Sequence, residues 1–227
     1  MSDSTTAPTV FVVDDDAALL RALARLLRED GLRCATYASA EAFLAERDPL
    51  APGCLVLDVS LPGLDGLALQ RRLAESEPAL PIVFLTGHGD IPMSVQAVKA
   101  GAVDFLTKPV AAASLLAAVR SGLAQDRRQR QALAETADLR RRFASLTERE
   151  REVLAALATG KLNKQIAADM GVVEQTVKFH RARIMERMQA QTVAELMHLT
   201  ARLQLTAAGP ADEPPQPAPR PLPRPAQ

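Results

Sequence analysis

The first half of the chain alternates short apolar runs, rich in β-branched residues, with amphipathic stretches of helical period. Runs that are apolar on both faces, each followed by a helix, are typical of a parallel sheet covered by helices on both sides. We therefore predict a five-stranded, parallel, doubly wound α/β domain. The apolar runs lie at residues 9–13, 32–37, 54–59, 80–86 and 102–107, and the helical stretches at about 17–30, 40–46, 65–76 and 92–100, with a fifth from about 111.

The charge of the chain is unevenly divided, although 27 basic and 27 acidic residues balance overall. Residues 1–124 hold 15 acidic and 10 basic side chains, whereas residues 125–209 hold 10 acidic and 15 basic ones. The asymmetry indicates two domains, of which the second is the better candidate for binding a polyanion. The apolar runs are too short to cross a bilayer and the polar start lacks a signal sequence, so no membrane association is expected. Cys34 and Cys54 lie in predicted strands as reduced thiols, which fits a cytoplasmic protein.

The second half of the chain has the composition of helices. Residues 111–142 contain no proline and one glycine, Gly122, so we expect either one long helix or two helices that break there, with residues 126–144 as a helical linker. Start and turn signals then predict a small all-α domain of four helices over residues 145–207. The proline-rich residues 208–227 are predicted to be a disordered tail, more readily a spacer than a ligand for a proline-binding partner. The signals are a capping box at Thr147 and Glu150, a cap at Asn163, a turn at Gly171 and a capping box at Thr192 and Glu195.

Polar side chains lie at or just after the ends of four of the predicted strands. Because the carboxyl ends of parallel strands meet at one rim of a doubly wound sheet, these side chains are expected to lie together. Crowded carboxylates repel each other unless they are protonated or share a divalent cation, and oxygen ligands suit magnesium. A lysine beside them could neutralise further negative charge. The residues are Asp14, Asp15 and Asp16 after strand one, Asp58 at the end of strand three, Thr86 at the end of strand four and Lys108 after strand five.

The first half resembles the CheY-like receiver domain of two-component response regulators, through VVDDD, LDVSLPGLDG, FLTGHGD and DFLTKP. We assign residues 1–125 to this domain. The resemblance implies that Asp58 is the phosphoacceptor. It also implies that Asp14, Asp15 and the backbone carbonyl of Ser60 join Asp58 around Mg²⁺, with Asp16 beside the metal site but outside it.

Two further features follow from the same resemblance. Thr86 and Lys108 are expected to contact the phosphoryl oxygens, and the peptide between Lys108 and Pro109 to be cis, a geometry that is accessible mainly before proline. Thr86 and Phe105 resemble the family's switch pair, in which the hydroxyl moves toward the phosphoryl group and the ring turns inward. A core aromatic with a single rotamer is the alternative for Phe105.

Residues 145 to about 205 resemble the LuxR-type helix-turn-helix, and the whole chain resembles the NarL/FixJ family of response regulators. NKQIA would then belong to the scaffold helix, and Glu174 to Met188 would form the recognition helix. Helical spacing predicts a core stripe of Val173, Val177, His180, Ile184 and Met188, and an outer face of Gln175, Lys178, Phe179, Ala182, Arg183 and Glu186. The residues expected to contact DNA are Lys161, Gln175, Lys178, Phe179, Arg181 and Arg183. For each cation the alternative is a solvated surface charge.

We therefore expect a transcriptional regulator whose receiver accepts a phosphoryl group from a sensor histidine kinase and whose second domain binds promoter DNA as a dimer. RNA polymerase is a further candidate partner. One alternative is a DNA-binding protein whose receiver is a phosphorylation-independent interaction module. The other is an aspartate-nucleophile phosphatase, a class that needs a second aspartate where this chain has Ser60. No enzyme activity is therefore expected.

Overall fold

The computed structural model describes residues 7–76, 78–87, 95 and 97–207, with side chains described as far as Leu203. The chain divides into two compact units, and the boundary falls between Ala134 and Glu135. This boundary lies inside the predicted linker, residues 126–144. The predicted tail lies outside the described residues. Among the helices that are described, none is long and apolar enough to span a membrane.

The first unit contains a five-stranded parallel sheet of order β2-β1-β3-β4-β5. The predicted fold class is confirmed. β4 and β5 each begin two residues later than the apolar pattern predicts, because Pro81 precedes β4 and a turn at Gly101 precedes β5. The strands are β1 (Thr9–Val13), β2 (Arg33–Tyr37), β3 (Gly53–Asp58), β4 (Ile82–Thr86) and β5 (Asp104–Thr107).

Helices cover the sheet on both sides. Successive side chains of β1 belong to opposite apolar layers of the sheet. Phe11 and Val13 lie in one buried cluster, and Val10 and Val12 lie in the other. Side-chain oxygens of Asp16, Ser39 and Asp65 accept hydrogen bonds from the first turns of the first three helices, as N-caps do. The helices are α1 (Ala17–Glu29), α2 (Ala40–Glu46), α3 (Gly66–Ala74) and α4 (Ala112–Ala144). Of the helical stretch expected at 92–100, residues 92–94 and 96 lie outside the described residues, whereas residues 95 and 97–99 are described and helical.

Gly122 does not break α4, which is one continuous helix. A side chain at this position would be too close to the sheet, because a Cβ atom would lie 2.4 Å from Sγ of Cys54. The glycine is therefore needed for close packing of the helix against β3. Cys34 and Cys54 are both free thiols, and burial raises the pKa of Cys54 to about 12.

Beyond Gly122, α4 is attached to the first unit by an ion pair between a buried carboxylate and a partly buried guanidinium group. The carboxylate of Asp126 is 2% exposed, accepts two hydrogen bonds from Nε of Arg130 at 2.9 and 3.0 Å, and accepts another from the backbone N–H of Gly53 at 3.2 Å. The two Nη atoms of Arg130 donate to the carbonyls of Leu50 and Ala51 at 2.8 and 3.0 Å. This network fixes the helix to the start of β3 and the loop before it.

The second unit is all-helical, with α5 (Glu148–Ala158), α6 (Asn163–Met170), α7 (Glu174–Met188) and α8 (Val193–Ala207) following the end of α4. Its core joins the last part of α4 to the other helices. The buried apolar residues of this core are Leu139, Leu146, Val153, Leu154, Leu157, Ile166, Ala167, Val177, Ile184, Met188, Ala190 and Leu196.

The predicted signals that begin α5 and end α6 are confirmed. Thr147 and Glu150 form a reciprocal capping box, in which the carboxylate of Glu150 accepts from the backbone N–H of Thr147 at 2.8 Å. Gly171 ends α6 with a φ of 65°. At α8, Thr192 caps the N–H of Glu195, but the carboxylate of Glu195 accepts from Gln191 rather than from Thr192.

The predicted cap at Asn163 is wrong. The cap position belongs to Leu162, whose backbone N–H donates to Oε1 of Gln165 at 2.8 Å. Asn163 is instead the first residue of α6, and its Oδ1 accepts a hydrogen bond from Nη1 of Arg181 at 2.7 Å. The asparagine therefore connects the scaffold helix to α7.

Candidate functional site

Four strand-end residues meet at the carboxyl rim of the sheet, as the predicted topology requires. Asp14 and Asp58 are 2% and 6% exposed, and Thr86 is fully buried at the end of β4. Nζ of Lys108 donates to Oδ2 of Asp14 at 2.6 Å and to Oδ2 of Asp58 at 2.9 Å. One ammonium group thus bridges two buried carboxylates.

The acidic residues of this rim form a cluster that suits a hard cation. Ligand oxygens of Asp14, Asp15 and Asp58 all lie within 4.8 Å of one another. Backbone N–H groups hold two of these carboxylates in place, since Asp16 donates to Oδ1 of Asp14 at 2.9 Å and Ser60 donates to Oδ1 of Asp58 at 3.2 Å. Three carboxylates gathered around one point form a donor set of the type that magnesium prefers.

The charge of Lys108 is maintained by its two partners. Burial disfavours the ammonium form, but the hydrogen bonds and negative charges of Asp14 and Asp58 outweigh this effect and raise the pKa of Lys108 above its ordinary value. The lysine is therefore a cation at neutral pH. The peptide bond between Lys108 and Pro109 is cis, as the sequence predicts.

Asp16 serves the first helix rather than the acidic cluster. Its Oδ1 accepts hydrogen bonds from the backbone N–H groups of Ala18 at 2.7 Å and Leu19 at 3.2 Å. These hydrogen bonds lower the pKa of the Asp16 carboxyl group. The side chain that begins α1 is thus distinct from the three carboxylates that surround the candidate metal site.

The two residues of the predicted switch pair lie on neighbouring strands. Thr86 ends β4 and pairs in register with Thr107 of β5, two residues beyond Phe105. The ring of Phe105 is partly buried and packs against Phe84 with a centroid separation of 6.0 Å. Because the ring is only partly buried, a more deeply buried rotamer would cover more apolar surface.

The exposed face of α7 contains the predicted outer residues. Gln175, Lys178, Phe179, Ala182, Arg183 and Glu186 are all exposed. Val177, Ile184 and Met188 are buried and His180 is partly buried, but Val173 is 69% exposed and its predicted place in the core is wrong. Val173 is the extended residue that precedes the helix, with φ −80° and ψ 151°, so helical spacing does not apply to it.

Most of the cations proposed to contact DNA already have a partner. Nζ of Lys178 lies 3.1 Å from the carboxylate of Glu174, and Nζ of Lys161 lies 2.7 Å from that of Asp169. The guanidinium group of Arg183 stacks over the exposed ring of Phe179 at 5.4 Å.

Arg181, in contrast, is partly buried and hydrogen-bonded to the scaffold helix through Asn163. It orients α7, a role that the sequence reasoning missed.

Each of the two units matches a known protein family. Residues 10–120 match the family of response regulator receiver domains, and residues 144–200 match the family of bacterial regulatory proteins of the luxR type. The chain is 45% identical over 195 residues to the response regulator protein TmoT of Ectopseudomonas mendocina, covering 86% of this chain and 89% of that protein. It is 40% identical over 204 residues to the transcriptional regulatory protein FixJ of Azorhizobium caulinodans, covering 90% and 95% of the two chains. The chain is a response regulator of the NarL/FixJ family.

Solved structures place this response regulator in the same family. The response regulator StyR has a TM-score of 0.79 and 45% identity, with 87% of this chain and 100% of that chain covered. Full-length FixJ from B. japonicum has a TM-score of 0.53 and 40% identity, with 87% and 98% covered. This response regulator therefore belongs to a two-component system and regulates transcription. The alternative of a phosphorylation-independent interaction module is not favoured.

Sequence reasoning missed the carboxylates that pair with two of the cations predicted to contact DNA. Glu174 precedes Lys178 by four residues, a spacing that allows an ion pair on one helix face and is visible in the sequence. The pair between Lys161 and Asp169 joins residues eight positions apart, one in the loop before α6 and one in its last turn, so only the fold brings them together.

Proposed function

We propose that this response regulator accepts a phosphoryl group on Asp58 from a partner sensor histidine kinase, and that phosphorylation strengthens the binding of its second unit to promoter DNA. The observation that supports this most strongly is the cluster of Asp14, Asp15 and Asp58 bridged by Lys108. Three carboxylates at one point repel each other unless they share a cation, and phosphoryl transfer to an aspartate uses such a cation to balance charge on the phosphoryl oxygens.

The chemistry assigned to Asp58 is an in-line displacement at phosphorus. A carboxylate oxygen of Asp58 forms the new P–O bond while the P–N bond of the kinase phosphohistidine breaks, and the electron pair of that bond stays on the imidazole nitrogen. The ammonium of Lys108 balances negative charge on the equatorial oxygens, and the hydroxyl of Thr86 is assigned a hydrogen bond to one of them.

The residues that would hold magnesium are Asp14, Asp15 and Asp58, together with the backbone carbonyl of Ser60. Bound magnesium would neutralise charge on the phosphoryl oxygens and so allow a carboxylate to approach them. The position two residues after the nucleophile carries Ser60, so the chain lacks there the carboxylate that an aspartate-nucleophile phosphatase uses as its acid and base. We accordingly propose a regulator without an enzyme activity of its own, acting in the cytoplasm.

The exposed face of α7 is proposed to enter the major groove of promoter DNA. Lys178 is assigned a base or phosphate contact, Gln175 a polar contact, Phe179 a thymine methyl group and Arg183 a phosphate. Lys161 is assigned to the backbone, and Arg181 supports the face by orienting α7. Phosphorylation is proposed to favour a homodimer that spans two half-sites, and RNA polymerase is the partner that a bound activator would contact.

We expect acetyl phosphate to modify Asp58 and no other residue, and only when magnesium is present. Without a cation, the clustered carboxylates repel the donor dianion. The measurement is peptide mass spectrometry after borohydride trapping of the acyl phosphate, with and without a chelator.

The matched controls are Asp58→Asn and Asp16→Asn, since Asp16 belongs to the same DDD run but caps α1. Asp58→Asn should show no trapped product, whereas Asp16→Asn should be modified like the wild-type chain. Trapping that persists in Asp58→Asn, or that is unaffected by chelation, would contradict the assigned site.

Lys178→Ala should weaken operator binding about tenfold, because a good contact to a base or a desolvated phosphate contributes about 1 to 3 kcal/mol. The measurement is a fluorescence anisotropy titration of the phosphorylated chain with a promoter fragment selected by that chain. Arg149→Ala is the control, since this exposed cation lies on α5 and pairs with Glu152. Equal losses for the two variants would mean that α7 does not provide the DNA contact.

A further inference from the structure

The first turn of α3 lies directly against the backbone of Asp58. The N–H of Gly66 donates to the carbonyl of Val59 at 3.0 Å. A Cβ atom at Gly66 would lie 2.4 Å from the carbonyl oxygen of Asp58, so no side chain fits between helix and strand. A displacement of the Asp58 backbone would therefore be passed to α3, because interiors packed this closely deform little.

One turn further along α3, a buried amide reaches a different part of the unit. Gln70 is 4% exposed, and its Nε2 donates to the carbonyls of Ala97 at 3.1 Å and Ala100 at 3.2 Å. Burying a side-chain amide costs free energy unless the amide is hydrogen-bonded. The hydrogen bonds to the two carbonyls offset that cost for Gln70. An aliphatic side chain would fill the space without that requirement, but it would not hold the carbonyls.

The two carbonyls belong to residues 97–103, which comprise the last helical residues 97–99 and the turn that leads from them into β5; we call this segment the 97–103 turn. In this turn Gly101 has a φ of 88°, the N–H of Gly101 donates to Val98 at 2.9 Å, and the N–H of Ala102 donates to Ala97 at 3.1 Å. Val103 then pairs with Ile82 of β4 at 2.7 Å. The turn thus ends only two residues before Phe105, the aromatic member of the predicted switch pair.

We propose that Gln70 is a positioning residue that couples Asp58 to the 97–103 turn through α3, in parallel with Thr86 and Phe105. This proposal rests on the proposed phosphorylation of Asp58. Gly66 and Gln70 are four residues apart, which is about 6 Å along a helix axis, so one rigid helical turn joins the two contacts. Movement of Asp58 on phosphorylation shifts Gly66, and Gln70 transmits the shift to the turn.

The test compares Gln70→Met, which keeps the length of the side chain but removes both donors, with Leu69→Met as the control. Leu69 is a fully buried neighbour on the same helix, and a volume-conserving change there disturbs packing without removing a hydrogen bond. Hydrogen exchange in the unphosphorylated full chain is followed by NMR at the amides of Gly101 and Ala102. Gln70→Met should accelerate their exchange about tenfold and Leu69→Met less than about twofold, since one lost hydrogen bond changes an opening equilibrium by about this factor.

The second readout is the ratio of the operator affinity of the phosphorylated chain to that of the unphosphorylated chain, with phosphorylation of Asp58 verified by borohydride trapping. We expect Gln70→Met to reduce this ratio about fivefold or more at equal occupancy of Asp58, and Leu69→Met to leave it unchanged. If amide exchange at Gly101 and Ala102 is unchanged in Gln70→Met, the proposal that Gln70 holds the 97–103 turn is overturned. Faster exchange with an unchanged ratio overturns the coupling and leaves a structural contact only. If phosphorylation leaves the operator affinity of the wild-type chain unchanged, the proposed function and the coupling fail together. The exchange data still decide whether Gln70 holds the 97–103 turn.

Discussion

Phosphorylation should raise the affinity of the full chain for its operator by about 100-fold. The expected cause is dimerisation, because a second DNA-binding unit held beside the first binds its half-site at a high effective concentration and needs no new base contact. The measurement is an operator titration at fixed ionic strength with and without acetyl phosphate, since affinities for DNA depend strongly on salt.

Asp58→Asn is the control for this prediction, because it removes the attacking oxygen from the cluster while keeping its size. The variant should keep the low affinity of the unphosphorylated chain under both conditions. Sedimentation velocity on the same samples separates two routes to the increase. A rise in affinity together with a dimer supports half-site pairing, whereas a rise in a chain that stays monomeric would contradict it and favour release of an inhibitory contact.

Removal of the partly buried cation at Arg130 should destabilise the first unit by about 2 to 3 kcal/mol. Arg130→Met leaves the carboxylate of Asp126 buried without its charged partner, and such an uncompensated charge costs several kcal/mol. The expected loss is smaller than for a fully buried pair because the side chain of Arg130 is 26% exposed and solvent screens part of the interaction. The measurement is the free energy of global opening from hydrogen exchange of the amides of Leu55 and Val56 in β3.

Two comparison variants sharpen the Arg130 prediction. Arg127→Met removes an exposed guanidinium from the same helix and should change the free energy of opening by less than about 0.5 kcal/mol. Adding Asp126→Asn to Arg130→Met should recover part of the loss, because a neutral amide costs less to bury than a carboxylate. No recovery in the double variant would show that the packing of Arg130, rather than its charge, stabilises the unit.

The sheet and its rim were predictable because they depend on periodic patterns and on topology. Apolar runs such as TVFVV must be covered on both faces, and parallel strands then bring their carboxyl ends to one edge. This is why Asp58 and Lys108, 50 positions apart, could be placed together from sequence. The helix starts were predictable where a capping box provides two matching residues, as at Thr147 and Glu150.

Other contacts depend on which side chains the fold happens to bury. Asp126 and Arg130 have the i and i+4 spacing that is ordinary on a helix surface, and the packing of α4 on β3 is what buries the carboxylate. A glutamine in a helix is ordinarily expected at the surface, and only the fold shows that Gln70 is buried against two carbonyl groups. Asn163 fits a cap signal as well as a first helical residue, and its contact with Arg181 decides between them.

DNA binding by this response regulator is expected to follow the modification of Asp58. This dependence is tested most directly by measuring both quantities in the same samples, with trapped phosphoaspartate quantified by mass spectrometry and operator affinity measured by anisotropy as acetyl phosphate is varied. Operator affinity should rise in proportion to the occupancy of Asp58 and fall back as the acyl phosphate hydrolyses. A full occupancy of Asp58 that leaves the affinity unchanged, or an increase in affinity while Asp58 stays unmodified, would contradict the account.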